Sequence, residues 1–451
     1  MSSQYRLEGS KDAISSDLDL FLTPPTASGV EQVEWVDYRP VNSVGLNGSV
    51  EFRIPASGMQ YIDMRRTMLY WKGQAVDENG ADATLTNIAT EKVVPVNNIL
   101  HSVFSQVDVT LNQKLISSHT QHYAYKSMIE SFLNYDKSAQ ESQMNAAGFE
   151  APSPSVSRDP TLPKLITRTE GSGSDAFKFK EPNPLYNEAL VKRYVSYRAN
   201  ADFIGIPFAD LFQQDRLLLN GVEVGVKMYR HQPDFYMTTG KASDIKKYQI
   251  KFTDILLRVC KVRLSPQLLL SHEKMLETTT AKYPYMRTEL KTINVPINTT
   301  TYRADNLYQG KVPSKLVVTG VSSFSSAGSI SRDPFNFTIN GVSVDVKVDG
   351  VSVPMQVPLS ESSVTAYYSS FQGLQRENSD FGTVRTRGGS SKTFMCFDLT
   401  GVANSLETYP LFKRGEVSIE FTLPASHTFT MMALAYFPDM YQVDKSRNIL
   451  I

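Results

Sequence analysis

The chain has little of what usually declares a function. It holds two cysteines in 451 residues, Cys260 and Cys396, each inside an apolar stretch. That is too few for a disulfide framework, and both read as buried, reduced thiols acting as small hydrophobes. It has no charge excess, since Lys plus Arg and Asp plus Glu number 46 each. A protein built to neutralise phosphates carries a basic surplus or a basic tail. Here the first 21 residues are slightly acidic, with Glu8, Asp12, Asp17 and Asp19 against Arg6 and Lys11. Strong direct nucleic-acid binding is therefore not expected, and the local basic run Lys241 to Lys251 reads as a solvated strand end or loop. Long apolar runs are also missing. The densest, near Met431 to Phe437, is far too short to span a bilayer. The N-terminus lacks a basic region followed by an apolar one, so no secretory signal is expected. The sequons at Asn47, Asn298 and Asn336 then read as chance matches, and the product as cytosolic or nuclear.

Catalytic signatures are equally scarce. Arg387-Gly-Gly-Ser-Ser-Lys392 lacks the spacing of a phosphate loop, and Gly171-Ser-Gly-Ser174 does not open a helix after a strand. His272-Glu273 begins like a metalloprotease helix, but the position four residues after His272 is Leu276. His119 and His122 share helical spacing without an acidic or Cys neighbour to complete a metal site. No Gly-x-Ser-x-Gly elbow occurs. The expectation is a protein that is not an enzyme, with no catalytic, cofactor-binding or metal-ligating residue to name.

What is present is β-structure. Aromatics reach 10%, with 22 Tyr and 23 Phe, and the 23 Pro and 25 Gly are spread along the chain as punctuation between short elements. Apolar residues alternate with polar ones at period two, the pattern of strands with one buried face. Examples are Val107-Val109-Leu111, Val222-Val224-Val226-Met228, Phe335-Phe337-Ile339, Val342-Val344-Val346-Val348 and Val417-Ile419-Phe421-Leu423. Trp35 and Trp71 sit among strand residues and read as core. Helical signals are few and short. They cover Tyr123 to Tyr135, a second helix through Gln143, one or two turns at Pro207 to Phe212, and a helix to about Leu276 with Ser265-Pro266 as N-cap and first turn. Residues 151–187 are a long Pro- and Gly-rich excursion, of the kind that is functional or mobile in compact domains.

The order of signals repeats. Val107 to Asn112 echoes Phe335 to Asn340, an offset of 335 − 107 = 228. Each is followed by a Tyr-containing segment, Tyr123 to Leu133 and Tyr367 to Leu374. Then come Gly-led alternating strands from Gly221 and Gly415, and dense closing strands at Ile250 to Leu264 and Phe429 to Phe437. The fold class expected is all-β, two tandem eight-stranded β-sandwiches with a few short helices in the connections. The expected divisions are an extended arm at 1–29, sandwiches at 30–264 and 280–440, a linking helix at 265–279 and a tail at 441–451. Residues 1–29 contain Thr23-Pro24-Pro25-Thr26, which suits neither helix nor central strand, yet Leu18, Leu20, Phe21 and Leu22 cluster there as an anchor for a neighbouring surface.

Several stretches resemble one family. They are Leu18-Asp-Leu-Phe-Leu-Thr-Pro-Pro-Thr26, Val50-Glu-Phe-Arg-Ile-Pro55, Gln60-Tyr-Ile-Asp-Met64, the long block Val94 to Val109, Leu111-Asn-Gln-Lys114 and Tyr123 to Tyr135. Together they are similar to the major capsid proteins of Polinton (Maverick) elements and adintoviruses. The likeness covers the first third well, is weaker through Tyr283 to Pro296, and is limited to the strand pattern in the last third. The resemblance implies a double jelly roll whose trimers have a pseudo-hexagonal outline and tile an icosahedral virion. It implies neighbouring capsomers, a single jelly-roll penton protein and minor capsid proteins as partners, with no membrane span. The chain is short for that lineage, so large outward towers are not expected. The alternative from another class is a virion fibre or lectin-like β-sandwich binding a receptor or carbohydrate.

Overall fold

The structure, a computed structural model, describes residues 20, 28–46, 48–82, 93–117, 122–150, 201–239, 248–326, 333–337, 341–353, 359–360, 394–399, 411–424 and 428–451. The arm before residue 28 (Leu20 apart), the excursion at 151–187 and the segment Tyr367 to Leu374 lie outside the described residues.

The first half contributes β1 (Val30–Tyr38), β2 (Val50–Ile54), β3 (Gln60–Asp77), β4 (Val93–Pro95), β5 (Phe104–Leu111), β6 (Lys114–Leu115), β7 (Asp202–Gly205), β8 (Val224–Arg230), β9 (Met237–Thr239) and β10 (Tyr248–Leu264). The second contributes β11 (Ala281–Val295), β12 (Thr301–Lys311), β13 (Lys315–Ser322), β14 (Ser343–Val348), β15 (Val351–Ser352), β16 (Leu359–Ser360), β17 (Met395–Asp398), β18 (Arg414–Thr422), β19 (Phe429–Val443) and β20 (Ile449–Leu450).

The two halves share one topology. The first forms the sheets β1-β10-β3-β7 and β2-β8-β5-β6, and the second β11-β19-β13-β17 and β12-β18-β14-β15. Setting aside the short β4, β9, β16 and β20, each half has one sheet ordered first-eighth-third-sixth and another ordered second-seventh-fourth-fifth. All pairings are antiparallel. This order is the jelly roll, and the chain contains it twice.

Alternation explains the inner faces. Val224, Val226 and Met228 of β8, Val344 and Val346 of β14, and Val417, Ile419 and Phe421 of β18 are fully buried, and less buried polar residues stand between most of them. The closing strand β19 breaks the rule, since Phe429 to Ala435 are buried without interruption. Met431, Ala433 and Ala435 point into the second sandwich. Met432 and Leu434 belong to a larger core that also holds the first sandwich. A strand covered on both faces reads as a continuous apolar run.

The structure corrects several expectations. Phe335 to Phe337, the described part of the Phe335 to Asn340 segment, is not a strand. Asp333 to Phe337 forms a turn with Phe337 N donating to Phe335 O (3.1 Å), and 338–340 lie outside the described residues. The topological counterpart of β5 is β14, so the first pair of the sequence echo is misaligned, while the two strand pairs that close each half, β8 with β18 and β10 with β19, keep their order. Phe335 and Phe337 are both buried in the shared core and Asn336 between them is exposed, so the burial alternates as a strand's would although the backbone turns. Trp71 is fully buried, but Trp35 lies at 46% exposure on β1, which ends its sheet with no further strand beside it among the described residues. The helix Pro266–Met275 forms, but Ser265 makes no side-chain cap bond. The alternating strand expected from Val222 begins at Val224. Cys260 and Cys396 are both buried.

Candidate functional site: the junction between the two sandwiches

The helix Tyr123–Asn134 forms where the sequence expects it, and every residue from Tyr123 to Leu133 is buried. A helix covered on all sides lies inside a core and not on a surface. It follows β5 and the Asn97-Asn98 turn. Asn98 takes a left-handed φ of 57°, while the Asn97 amide exchanges two hydrogen bonds with the backbone of Glu150 (2.8 and 2.9 Å). Ser127 and Ser131 donate back to the carbonyls of Ala124 (2.9 Å) and Ser127 (2.7 Å), so neither hydroxyl is stranded.

One side of this helix is aromatic. Tyr125 meets Phe235 of the first half and Phe335 of the second edge-on, at 5.5 and 5.6 Å between centroids. Phe132 meets Phe337 (6.4 Å) and Phe394 (6.0 Å). Such pairs contribute about 0.5–1.5 kcal/mol each beyond the area they bury.

The other side carries buried charge. Lys126 donates to Asp210 of the short 3-10 turn Asp210–Gln213, and both side chains are almost wholly shielded from solvent. Asp210 also accepts from the Thr288 amide (2.9 Å) and hydroxyl (2.7 Å) on β11. One carboxylate thus joins the first half's helix to the second half's first strand. Burial opposes the Lys126 charge, yet Asp210 and Glu130 hold its ammonium above the ordinary range. Glu130 lies one turn along. One of its oxygens accepts from Gln213 (3.1 Å) and the other, Oε1, has no partner among the described residues. Burial pushes its carboxyl up to about 7 against the pull of Lys126, and Asp210 adds to the rise. Beside it, His101 Nδ1 meets the Tyr123 hydroxyl (3.0 Å), which also accepts from Phe208 N (3.1 Å). Burial lowers His101 to about 3, so the ring is neutral near pH 7.

A second set of bonds ties the halves nearby. The Tyr283 hydroxyl donates to Leu217 O (3.1 Å) and accepts from Leu219 N (3.0 Å), and its ring stacks on Tyr441 at 4.8 Å. Gln214 and Arg216 donate to the carbonyls of Pro284 (3.0 Å) and Lys282 (2.6 Å). After β19 the chain turns back onto the first half. Arg447, at a left-handed φ of 65°, donates to Asn220 O (2.8 Å) and Oδ1 (3.1 Å) and pairs with Glu273 of the linking helix. Asn112 and Lys114 donate to the carbonyls of Arg447 (2.6 Å) and Ile449 (3.1 Å).

Two of the residues weighed for chemistry make bracing contacts. His272 bonds the Tyr61 hydroxyl (2.9 Å), and Glu273 holds Arg447. His122 lies 3.5 Å from the Thr292 hydroxyl, while His119 and the Gly171 and Arg387 segments lie outside the described residues. Among the described residues no three His, Cys, Asp or Glu side chains gather as a metal site, and no helix is long and apolar enough to cross a membrane. Sequence reasoning missed Lys126, Glu130, Asp210 and Thr288. The available signal was a Lys and a Glu at i and i+4, the two charged residues of the helix, but Asp210 lies 84 residues from Lys126.

No protein-family profile matches the chain. An uncharacterized protein of Caenorhabditis elegans is 24% identical over 453 residues, spanning 95% of this chain and 99% of that protein. Among solved structures, the Sputnik virophage determined by cryo-EM is similar with a TM-score of 0.62 at 12% identity, covering 100% of this chain and 94% of that one. The PBCV-1 virus capsid gives 0.56 at 8% identity over 96% and 99% of the two chains. The mavirus major capsid protein gives 0.53 at 9% identity over 100% and 96%. At such identities the likeness establishes the fold, and that fold is the double jelly roll described above.

Proposed function

We propose that the chain is a major capsid protein, of the Polinton or adintovirus kind, whose trimers form pseudo-hexagonal capsomers that tile the icosahedral shell of a DNA virus. The observation that carries this reading is the repeated strand order in two sandwiches joined through one continuous core. Three copies of a rigid pair present six sandwiches, the outline a hexagonal lattice requires. The structural neighbours from Sputnik, PBCV-1 and mavirus support it. A relative of matching length in a nematode suits a capsid gene carried in an animal genome, as the Polinton resemblance implies.

On this reading the functional units are the sandwiches 30–264 and 280–440, with 265–279 linking them, 1–29 as a docking arm and 441–451 as a tail. Of segment 136–187, expected as a loop crossing to a neighbour, residues 136–150 pack on this chain's own core through Met144, Ala147 and Phe149, so the choice narrows to 151–187, which lie outside the described residues. The partners are a second and third copy, neighbouring capsomers, a penton protein and minor capsid proteins. The role is structural and not enzymatic, the place of action is the virion, and synthesis is in the host cytoplasm with assembly there or in the nucleus. With no net charge, the inner surface binds DNA weakly and without sequence preference.

Sedimentation and negative-stain imaging of the purified chain test the proposal. Trimers and shells are expected, with obligate-type contacts of roughly 2,000 Å² or more. A monomer at micromolar concentration that binds a glycan array would favour the fibre or lectin alternative. Deleting residues 1–26 should leave folded trimers and impair shell formation, and normal shells from that variant would remove the arm from the assembly.

A further inference from the structure

The junction contains one acid group more than its bases balance. Lys126 and Asp210 form a pair, and both of Asp210's oxygens already accept, Oδ1 from Lys126 and the Thr288 hydroxyl and Oδ2 from the Thr288 amide. Glu130, 1% exposed, adds a second carboxyl to the same space with a single neutral donor, Gln213, and a bare Oε1. If Glu130 is ionised, the buried cluster holds two negative groups against one ammonium. If it is protonated, the count is even. A surplus charge shut away from water and short of donors is costly.

The groups around it do not supply a counter-charge. From its own helix come Lys126 and Tyr123, the latter kept neutral as burial raises its hydroxyl. The turn Asp210–Gln213 offers Asp210 and Gln213, and β11 offers Thr288, which is committed to Asp210. The helical turn Ile99–Ser102 brings His101, held neutral by burial and bonded to Tyr123. β5 brings Asp108, which accepts from Gln106 (2.8 Å). His122 at the start of the helix is pulled down by burial.

We infer that Glu130 makes the junction between the two sandwiches proton-sensitive, seating its helix more firmly in mildly acid solution than in mildly alkaline solution. The inference holds whatever the chain assembles into. A carboxyl raised from its ordinary 4.5 to about 7 binds more protons folded than unfolded. Its stabilising effect is whole below the unfolded value and drains away as pH rises through the folded one. The change is confined to a window ending near neutrality, and it acts where helix, turn and β11 meet.

The test compares the full chain with Glu130→Gln, which keeps shape and polarity and removes the titration. Urea unfolding of both is followed from pH ~5.5 to ~8.5. The folding equilibrium of the native chain should fall relative to the variant by up to about tenfold per pH unit below the folded value and level off above it. Parallel pH curves for the two proteins would overturn the inference. Hydrogen exchange on the unaltered chain covers the case in which the variant does not fold. After correction for intrinsic rates, protection of 123–134 should drop between pH ~6 and ~8 more than protection of β14 and β18. Equal changes in both places would overturn it as well.

Discussion

Removing the Asp210 carboxylate should be among the most damaging single changes in the chain. Asp210→Ala deletes the partner of a buried ammonium and three acceptor contacts, one to Lys126 and two to Thr288. Breaking a buried ion pair by removing one member costs about 3–5 kcal/mol, since the remaining charge loses its bonded partner, and Glu130 one turn along would be the acid left near Lys126. Lys126→Met is expected near the lower end of that range, because Asp210 keeps both Thr288 donors. The double variant should recover at least ~2 kcal/mol of the summed single effects, as no charge of the pair then remains. It should not recover everything, because the Thr288 amide stays unpaired at a cost of about 1–3 kcal/mol. The assay is urea unfolding of both singles and the double, read as a double-mutant cycle. Because the pair joins the first half to β11, Asp210→Ala should also split the unfolding transition toward two steps, one for each sandwich. A single-variant cost below about 1 kcal/mol, or single effects that add within ~0.5 kcal/mol, would refute the claim that this pair closes the junction.

Three further outcomes follow from the packing. Arg447→Ala removes two bonds to Asn220 and the pair with Glu273, so limited proteolysis should cut beyond Val443 readily in the variant and slowly in the native chain. Leu434→Ala empties a fully buried site between the two sandwiches and should cost about 2–5 kcal/mol in urea unfolding. Gly148→Ala should destabilise by more than about 1 kcal/mol in the same assay, since φ is +71° and an added Cβ would lie 2.6 Å from the Ile99 side chain.

Most of the secondary structure was legible because period-two alternation needs only local backbone geometry and one buried face. Val224 to Met228, Ser343 to Val348 and Val417 to Phe421 form strands where their patterns lie. The fully buried helix at Tyr123–Asn134 was legible from its spacing, and the order of closing strands in each half revealed the repeat. The failures have physical causes. Phe335-Asn-Phe337 carries the same alternation as a strand and buries both rings in the shared core, but its backbone turns, and a local burial pattern does not distinguish the two. Trp35 lies in a strand as read, but whether a strand's outer side is covered depends on its place in the sheet, which no local pattern records.

Composition and period by themselves determined that this chain is an all-β protein built twice over, with two reduced cysteines and no charge to spare. Tertiary structure alone decided how the two copies are joined. The unbroken run in β19 says that both faces are covered, but not by what. Lys126 and Glu130 announce a polar need inside an apolar helix, but the groups that meet it, Asp210, Gln213 and Thr288, come from segments brought close only by the fold. A buried charge must find its partner in space, and distance along the chain does not record distance in space.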